Sequence, residues 1–260
     1  MKDLKVMIGS TPAPDHLHIT VTNNGPYLVY GAPPLRQQFI VIDSSGDSRK
    51  YMQGEEFSTE KQPTALCRCG HTKGSPYCDG SHHKAQWDPI LTAPNESLLA
   101  QADIIESERL TLVDNDHYCA YARFCHPQGG VWRLTEESSD PAAREEAIRQ
   151  ASLCPTGRLT AWANEADAPY EFKFEPELGL LEDLSIGVSS GLWVRGGILI
   201  QKENGEKYEI RNRVVMCRCG SSHNKPFCDG GHARAHWNDN LGGEAREEMK
   251  LELKEVEEAY

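Results

Sequence analysis

A stretch of 21 residues recurs in this 260-residue chain 150 positions later. Residues 67–87 read CRCGHTKGSPYCDGSHHKAQW and residues 217–237 read CRCGSSHNKPFCDGGHARAHW. Cys67, Cys69, Pro76, Cys78, Asp79, Gly80, His82 and Trp87 stand against Cys217, Cys219, Pro226, Cys228, Asp229, Gly230, His232 and Trp237. Three cysteines and a histidine falling twice in one frame are not a chance event, so each copy is expected to be one structural unit. Cys67 and Cys69 leave one loop with their sulfurs on the same side. Cys78 and His82 lie four positions apart, a spacing that places both on one face of a helical turn. Thiolate and imidazole donors suit zinc or an iron–sulfur centre, not calcium or magnesium. Ligand type alone leaves zinc open, since three cysteines and one histidine are a known zinc set.

A weaker repeat precedes each motif. Residues 25–35, GPYLVYGAPPL, resemble 191–200, GLWVRGGILI. Both read as strand, glycine turn, strand. Ile198 to Gln201 and Lys207 to Ile210 flank Glu203-Asn204-Gly205-Glu206, and Asn-Gly between such runs is a hairpin signal. Phe39 to Ile42 leads into Ser44-Ser45-Gly46, another turn. Each half is expected to form strands, a cysteine loop and a short helix, and the halves to pack as a pseudo-symmetric pair. Between them, Asp140-Pro141 marks a helix start with Asp as N-cap, and the helix 142–152 runs to Cys154-Pro155. The charged tail Glu244 to Tyr260 reads as a solvated terminal helix.

The nine cysteines fall into three groups of three: Cys67, Cys69, Cys78; Cys119, Cys125, Cys154; and Cys217, Cys219, Cys228. An odd count argues against a disulfide framework. The start, Met1-Lys2-Asp3-Leu4-Lys5-Val6, is too polar for a signal peptide, and no apolar run is long enough to span a bilayer. The expected location is cytoplasmic. A formal net charge of −12 argues against nucleic acid and anionic membrane as partners, because phosphate binding needs a positive surface. No glycine-rich nucleotide loop is present, so an enzyme with its own substrate site is not the expectation. Asp114-Asn115-Asp116 reads as a solvated turn, and Glu136-Glu137 as a solvent face.

The C-x-C-x6-P-x-C-D-G-x-H pattern resembles the CDGSH (NEET-type) iron–sulfur family. Residues 78–82 spell Cys-Asp-Gly-Ser-His, whereas the second copy has Gly231 at the serine position. The resemblance implies two [2Fe–2S] clusters. Cys67/Cys69 and Cys217/Cys219 would hold the inner irons, Cys78/His82 and Cys228/His232 the outer ones. Asp79 and Asp229 are expected to cap the histidine-bearing turn, and Trp87 and Trp237 to pack in the core. A neutral imidazole in place of a thiolate removes one negative charge and raises the reduction potential.

The segment 117–133, HYCAYARFCHPQGGVWR, with the later Cys154-Pro155-Thr156-Gly157, resembles the divergent single-cluster ferredoxins. Ala122 occupies the central cysteine position. The resemblance implies a third cluster on Cys119, Cys125 and Cys154, as [3Fe–4S] or as [4Fe–4S] with an outside ligand. His117 and His126 read as ordinary loop histidines.

The expected fold is α+β: two β-rich CDGSH halves form an intrachain pseudo-dimer around a small ferredoxin-like insert. The expected domains are 1–98 with the first motif (67–82), 99–180 as the insert, 181–243 with the second motif (217–232), and 244–260 as a charged helix. The expected function is electron transfer, as a monomer working with redox partner proteins. Cluster donation to apo iron–sulfur acceptors, redox or iron sensing, and a zinc-stabilised interaction module are the alternatives.

Overall fold

The computed structural model describes residues 13–166 and 168–258. The polar start at Met1–Val6 lies outside the described residues. The first half supplies β1 (His18–Val21), β2 (Tyr27–Tyr30), β3 (Leu35–Ile42), β4 (Ser48–Phe57) and β5 (Thr64–Leu66). The middle segment supplies β6 (Asp103–Glu106), β7 (Leu110–Asp114), α1 (Val131–Glu136), α2 (Pro141–Leu153), β8 (Leu159–Ala163) and β9 (Ala168–Pro169). The second half supplies β10 (Glu177–Asp183), β11 (Val188–Arg195), β12 (Leu199–Lys202), β13 (Arg213–Met216), α3 (Gly231–Arg234) and α4 (Glu244–Glu258). The expected boundary at residue 180 falls inside β10.

The fold is α+β, and the two halves exchange strands. One sheet has the order β12-β1-β2-β5 and a second β13-β11-β10-β3-β4. β12 of the second half lies parallel to β1, with Leu199 opposite His18. Reciprocally, β3 of the first half lies parallel to β10, with Leu35 opposite Leu178. Each sheet therefore takes three antiparallel strands from one half and at least one strand from the other. The weak repeat in the sequence is the trace of this: Gly31 and Gly196, both at positive φ, end β2 and β11 and release the chain to cross over.

The core sits between the exchanged sheets and mixes both halves: Ile19, Val21, Tyr27, Val29 and Leu35 meet Leu178, Leu192, Val194, Ile200 and Met216. Burying such side chains contributes roughly 1.5–3 kcal/mol each. β3 and β4 form the hairpin expected around Ser44-Ser45-Gly46. The Asn204-Gly205 turn also forms, but its return arm makes only a bridge, Gln201 to Lys207.

The middle segment has its own sheet, β6-β7-β8-β9. α2 starts where expected: the Asp140 carboxylate accepts from the Ala142 N–H at 3.3 Å, with Pro141 at the first helical position. Ala143, Ala147 and Ala151 recur every four residues on its buried face and let it lie close to Leu110, Leu112 and Leu159. Cys154 follows directly as C-cap. The terminal helix differs from expectation. α4 is docked, with Arg246 6% and Met249 1% exposed, and Met249 packs on Phe39 and Val41. No helix among the described residues is long and apolar enough to cross a membrane.

Candidate metal centres

Each copy of the repeat folds into the same loop. Leu66 bridges to Tyr77 and Met216 to Phe227, so the strand bearing the Cys-x-Cys pair is zipped to the segment bearing the third cysteine. The Cys67 N–H donates to Pro76 O and the Cys217 N–H to Pro226 O, at 2.9 and 2.8 Å. Cys67 Sγ lies 3.6 Å from Cys69 Sγ, and Cys78 Sγ lies 3.5 Å from His82 Nδ1. In the second copy the corresponding distances are 3.7 and 3.4 Å. The predicted ligands thus come together as two close pairs per loop. Among the described residues, no three His, Cys, Asp or Glu groups converge as one ion would require.

The histidines do not ride on a helix shared with the third cysteine. Gly80 and Gly230, both left-handed, separate each cysteine from a single helical turn, Ser81–His83 in one copy and α3 in the other. Asp79 and Asp229 still cap, from one residue earlier than a regular N-cap: their Oδ1 atoms accept from the Ser81 and Gly231 N–H groups at 2.9 Å. Their Oδ2 atoms accept from the Lys73 and His223 N–H groups at 3.0 Å and tie the loop closed. These backbone donors hold the Asp79 carboxyl well below the usual range. Gly231 has a steric reason: a β-carbon there would lie 2.8 Å from Ser221 O.

Burial and the close sulfur contacts set the protonation of these side chains. Burial pushes the Cys228 thiol up strongly and the Cys78 thiol up as well. In each Cys-x-Cys pair the shared S–H···S contact pushes one thiol down, Cys67 to about 6, and its partner up. Burial lowers His232 to about 4, and His82 in the same direction, so both imidazoles are held in the neutral, ligating form.

The two loops stand back to back. A β-carbon on Gly70 would lie 2.5 Å from Cys219 O, and one on Gly220 would lie 2.5 Å from Cys69 O. Only glycine permits that approach. Tyr27 of the first half donates its hydroxyl to Cys217 O at 2.7 Å. The tryptophans are half-buried platforms rather than core residues: Arg68 stacks on Trp87 and Arg218 on Trp237, at 4.6 and 5.4 Å. Both arginines sit between the paired cysteines and were visible in the repeat as an identical Cys-Arg-Cys.

The middle cysteines also come together. Cys119, Cys125 and Cys154 line one pocket with Ala122, Arg158 and Leu159. Burial pushes the Cys125 thiol up to about 12. Arg213, 2% exposed at the start of β13, donates to Cys154 O, to Ala151 O and to Leu159 O, clamping this loop onto the second half. The pocket abuts the second loop: a β-carbon on Gly230 would lie 3.1 Å from Cys119 O. Asn224 also donates to His117 O at 2.9 Å. His117 and His126 are exposed and outside the pocket lining. Asp114 is not solvated as expected; it accepts from Trp132 Nε1 at 2.8 Å and pairs with Arg158. Arg158 follows Cys-Pro-Thr-Gly directly, and nothing in the sequence distinguishes it from a surface arginine.

A family model described as iron-binding zinc finger, CDGSH type, matches residues 24–83 and 190–233. A model described as divergent 4Fe-4S mono-cluster matches residues 105–164. No curated protein and no solved structure matches the chain.

Proposed function

For a chain that carries two iron-binding CDGSH-type domains flanking a divergent 4Fe–4S mono-cluster segment, we propose the role of a multi-centre electron carrier. Cys67, Cys69, Cys78 and His82 would hold one [2Fe–2S] cluster, and Cys217, Cys219, Cys228 and His232 a second. Among the described residues no three of these donors converge as a single zinc ion would require, which supports a two-iron core. Cys119, Cys125 and Cys154 would hold a three-iron cluster. Ala122, at the position of the family's central cysteine, packs against Ile40 and Phe124 and would offer no fourth ligand. When bound, such groups accept and release single electrons.

The observation that carries the reading is contiguity. The first loop abuts the second through Gly70 and Gly220, and the second abuts the middle pocket through Gly230. The three ligand sets follow one another through these close backbone approaches. Independent storage or donation sites need no such walls.

The test uses protein prepared without oxygen. Iron, sulfide and EPR are measured before and after dithionite, then on mixing with an oxidised acceptor protein. Reversible reduction with the iron retained is the expected result. A colourless, sulfide-free protein ends the reading. Ala122→Cys is expected to convert a three-iron EPR signature to a four-iron one.

One observation favours cluster donation at the first site alone: Cys78 and the turn bearing His82 lie near solvent, whereas Cys228 and His232 are buried. Transfer of absorbance to an apo-ferredoxin, abolished by His82→Cys and not by His232→Cys, would establish that activity.

A further inference from the structure

Arg158 is 7% exposed and lines the pocket of Cys119, Cys125 and Cys154. One end of its guanidinium is fixed: Nη2 lies 2.8 Å from Asp114 Oδ1 and 2.9 Å from Oδ2. Asp114 is in turn held by Trp132 Nε1 at 2.8 Å. The other side is unused. Nε is buried and has no hydrogen-bond partner among the described residues. A charged donor buried without an acceptor is costly, so its acceptor is to be sought in what the pocket holds. Burial works against the charge. Even so, the facing Cys119 and Cys154 sulfurs, Asp114 and Cys125 together keep the guanidinium's pKa above its ordinary value. The arginines of the two Cys-x-Cys loops are turned elsewhere: Arg68 donates from Nε to Gly25 O and from Nη2 to Thr22 O, and Arg218 pairs with Asp239.

The geometry points to Arg158 as a potential-setting residue of the middle site, with its Nε–H donating to a sulfur of the iron–sulfur group on Cys119, Cys125 and Cys154. Asp114 and Trp132 hold it in that pose. This rests on the cluster reading above and goes beyond it by naming the residue that tunes one centre and not the other two. A cationic donor to cluster sulfur stabilises the more negative, reduced form and raises the potential.

The experiment uses the full chain loaded without oxygen. Iron and sulfide content first establish a third cluster in the parent protein; its absence there would defeat the cluster reading rather than the role of Arg158. EPR-monitored potentiometry then compares parent, Arg158→Gln and Arg158→Lys. At the parent midpoint, the glutamine variant is expected to show at least a tenfold lower ratio of reduced to oxidised middle cluster. That corresponds to about 59 mV for a one-electron couple. The lysine variant should recover part of the loss, and the signals of the two CDGSH sites should not move. With 15N-guanidino arginine, pulsed EPR should detect a nitrogen coupling on the middle signal that Arg158→Gln removes. An unchanged midpoint at full iron content, or no coupling in the parent, overturns the assignment. Should Arg158→Gln fail to retain the cluster, Asp114→Asn decides: it keeps the arginine but loosens its hold, and a midpoint identical to the parent's overturns the assignment.

Discussion

The two Cys-Arg-Cys loops are near copies in sequence and in backbone, yet their surroundings are opposites. Arg68 is neutralised by dipoles: it donates to the carbonyls of Thr22, Asn23, Gly25 and Pro89. Arg218 is neutralised by charge: it pairs with Asp239 and approaches Glu182, whose side chains are both fully buried, and Glu182 pairs with Arg246 of α4 at 2.9 Å. Asp239 stands 150 positions after Pro89, so the position that offers a carbonyl to Arg68 offers a carboxylate to Arg218. The first loop faces solvent at Cys78, whereas the second is roofed by the middle segment and by Thr92, which donates to His223 O. One motif thus yields an open site and a closed one, and the difference lies outside the motif.

The largest test of that contrast is removal of the arginines. Arg218→Met leaves the buried Asp239 carboxylate without its cation and is expected to destabilise the loaded protein by roughly 3–5 kcal/mol. Arg68→Met strands only carbonyls, at about 1–3 kcal/mol. Urea unfolding followed by circular dichroism measures both; equal losses would erase the distinction. Tyr27→Phe comes next. It removes the hydroxyl from Cys217 O and Pro226 O, costs about 1 kcal/mol, and should speed loss of the second cluster's EPR signal while leaving the first unchanged.

Acid should separate the sites in time. Protonation of a ligating imidazole competes with iron, and burial disfavours it most at His232, lowered to about 4. Lowering the pH from 7 is expected to bleach the first site before the second. His82→Cys should abolish the early phase of a stopped-flow trace.

The last test concerns Glu182. Burial, and then the charge of Asp239, push its carboxyl up to about 8, while Arg218 and the Leu241 N–H help hold Asp239 below its usual range despite burial. Because the folded form holds a proton that the unfolded chain releases, this group's contribution to stability is full below its unfolded pKa and is lost as pH rises from about 4.5 to about 8. Glu182→Gln should flatten the fall of unfolding midpoints across that window; an unchanged slope would remove Glu182 from the account.

Much of this molecule was legible in its sequence. The offset of 150 exposed the paired loops, and Asp140-Pro141 located α2 together with the cysteine that follows it. What stayed hidden depends on contacts between segments far apart. The weak repeat marks where the chain turns at Gly31 and Gly196, but not that β3 and β12 then join the opposite sheets. Gly70 and Gly220 sit in the quoted repeat, but their meaning appears only when each lies against the opposite loop. Asp114 reads as a turn residue until Trp132 and Arg158 close over it. The docked face of α4 rests on Arg246 and Met249, two positions in a run that charge alone assigns to water.

The exchange of strands also sets a timetable. β3 waits for a partner whose first contact, Leu178 against Leu35, is more than a hundred residues downstream, and β1 waits longer still for Leu199. At ribosomal speed that interval is on the order of ten seconds. Throughout it the earliest cysteines have been made, but the wall behind them has not, so a lasting metal loop at Cys67 becomes attainable only when the chain's last third has emerged.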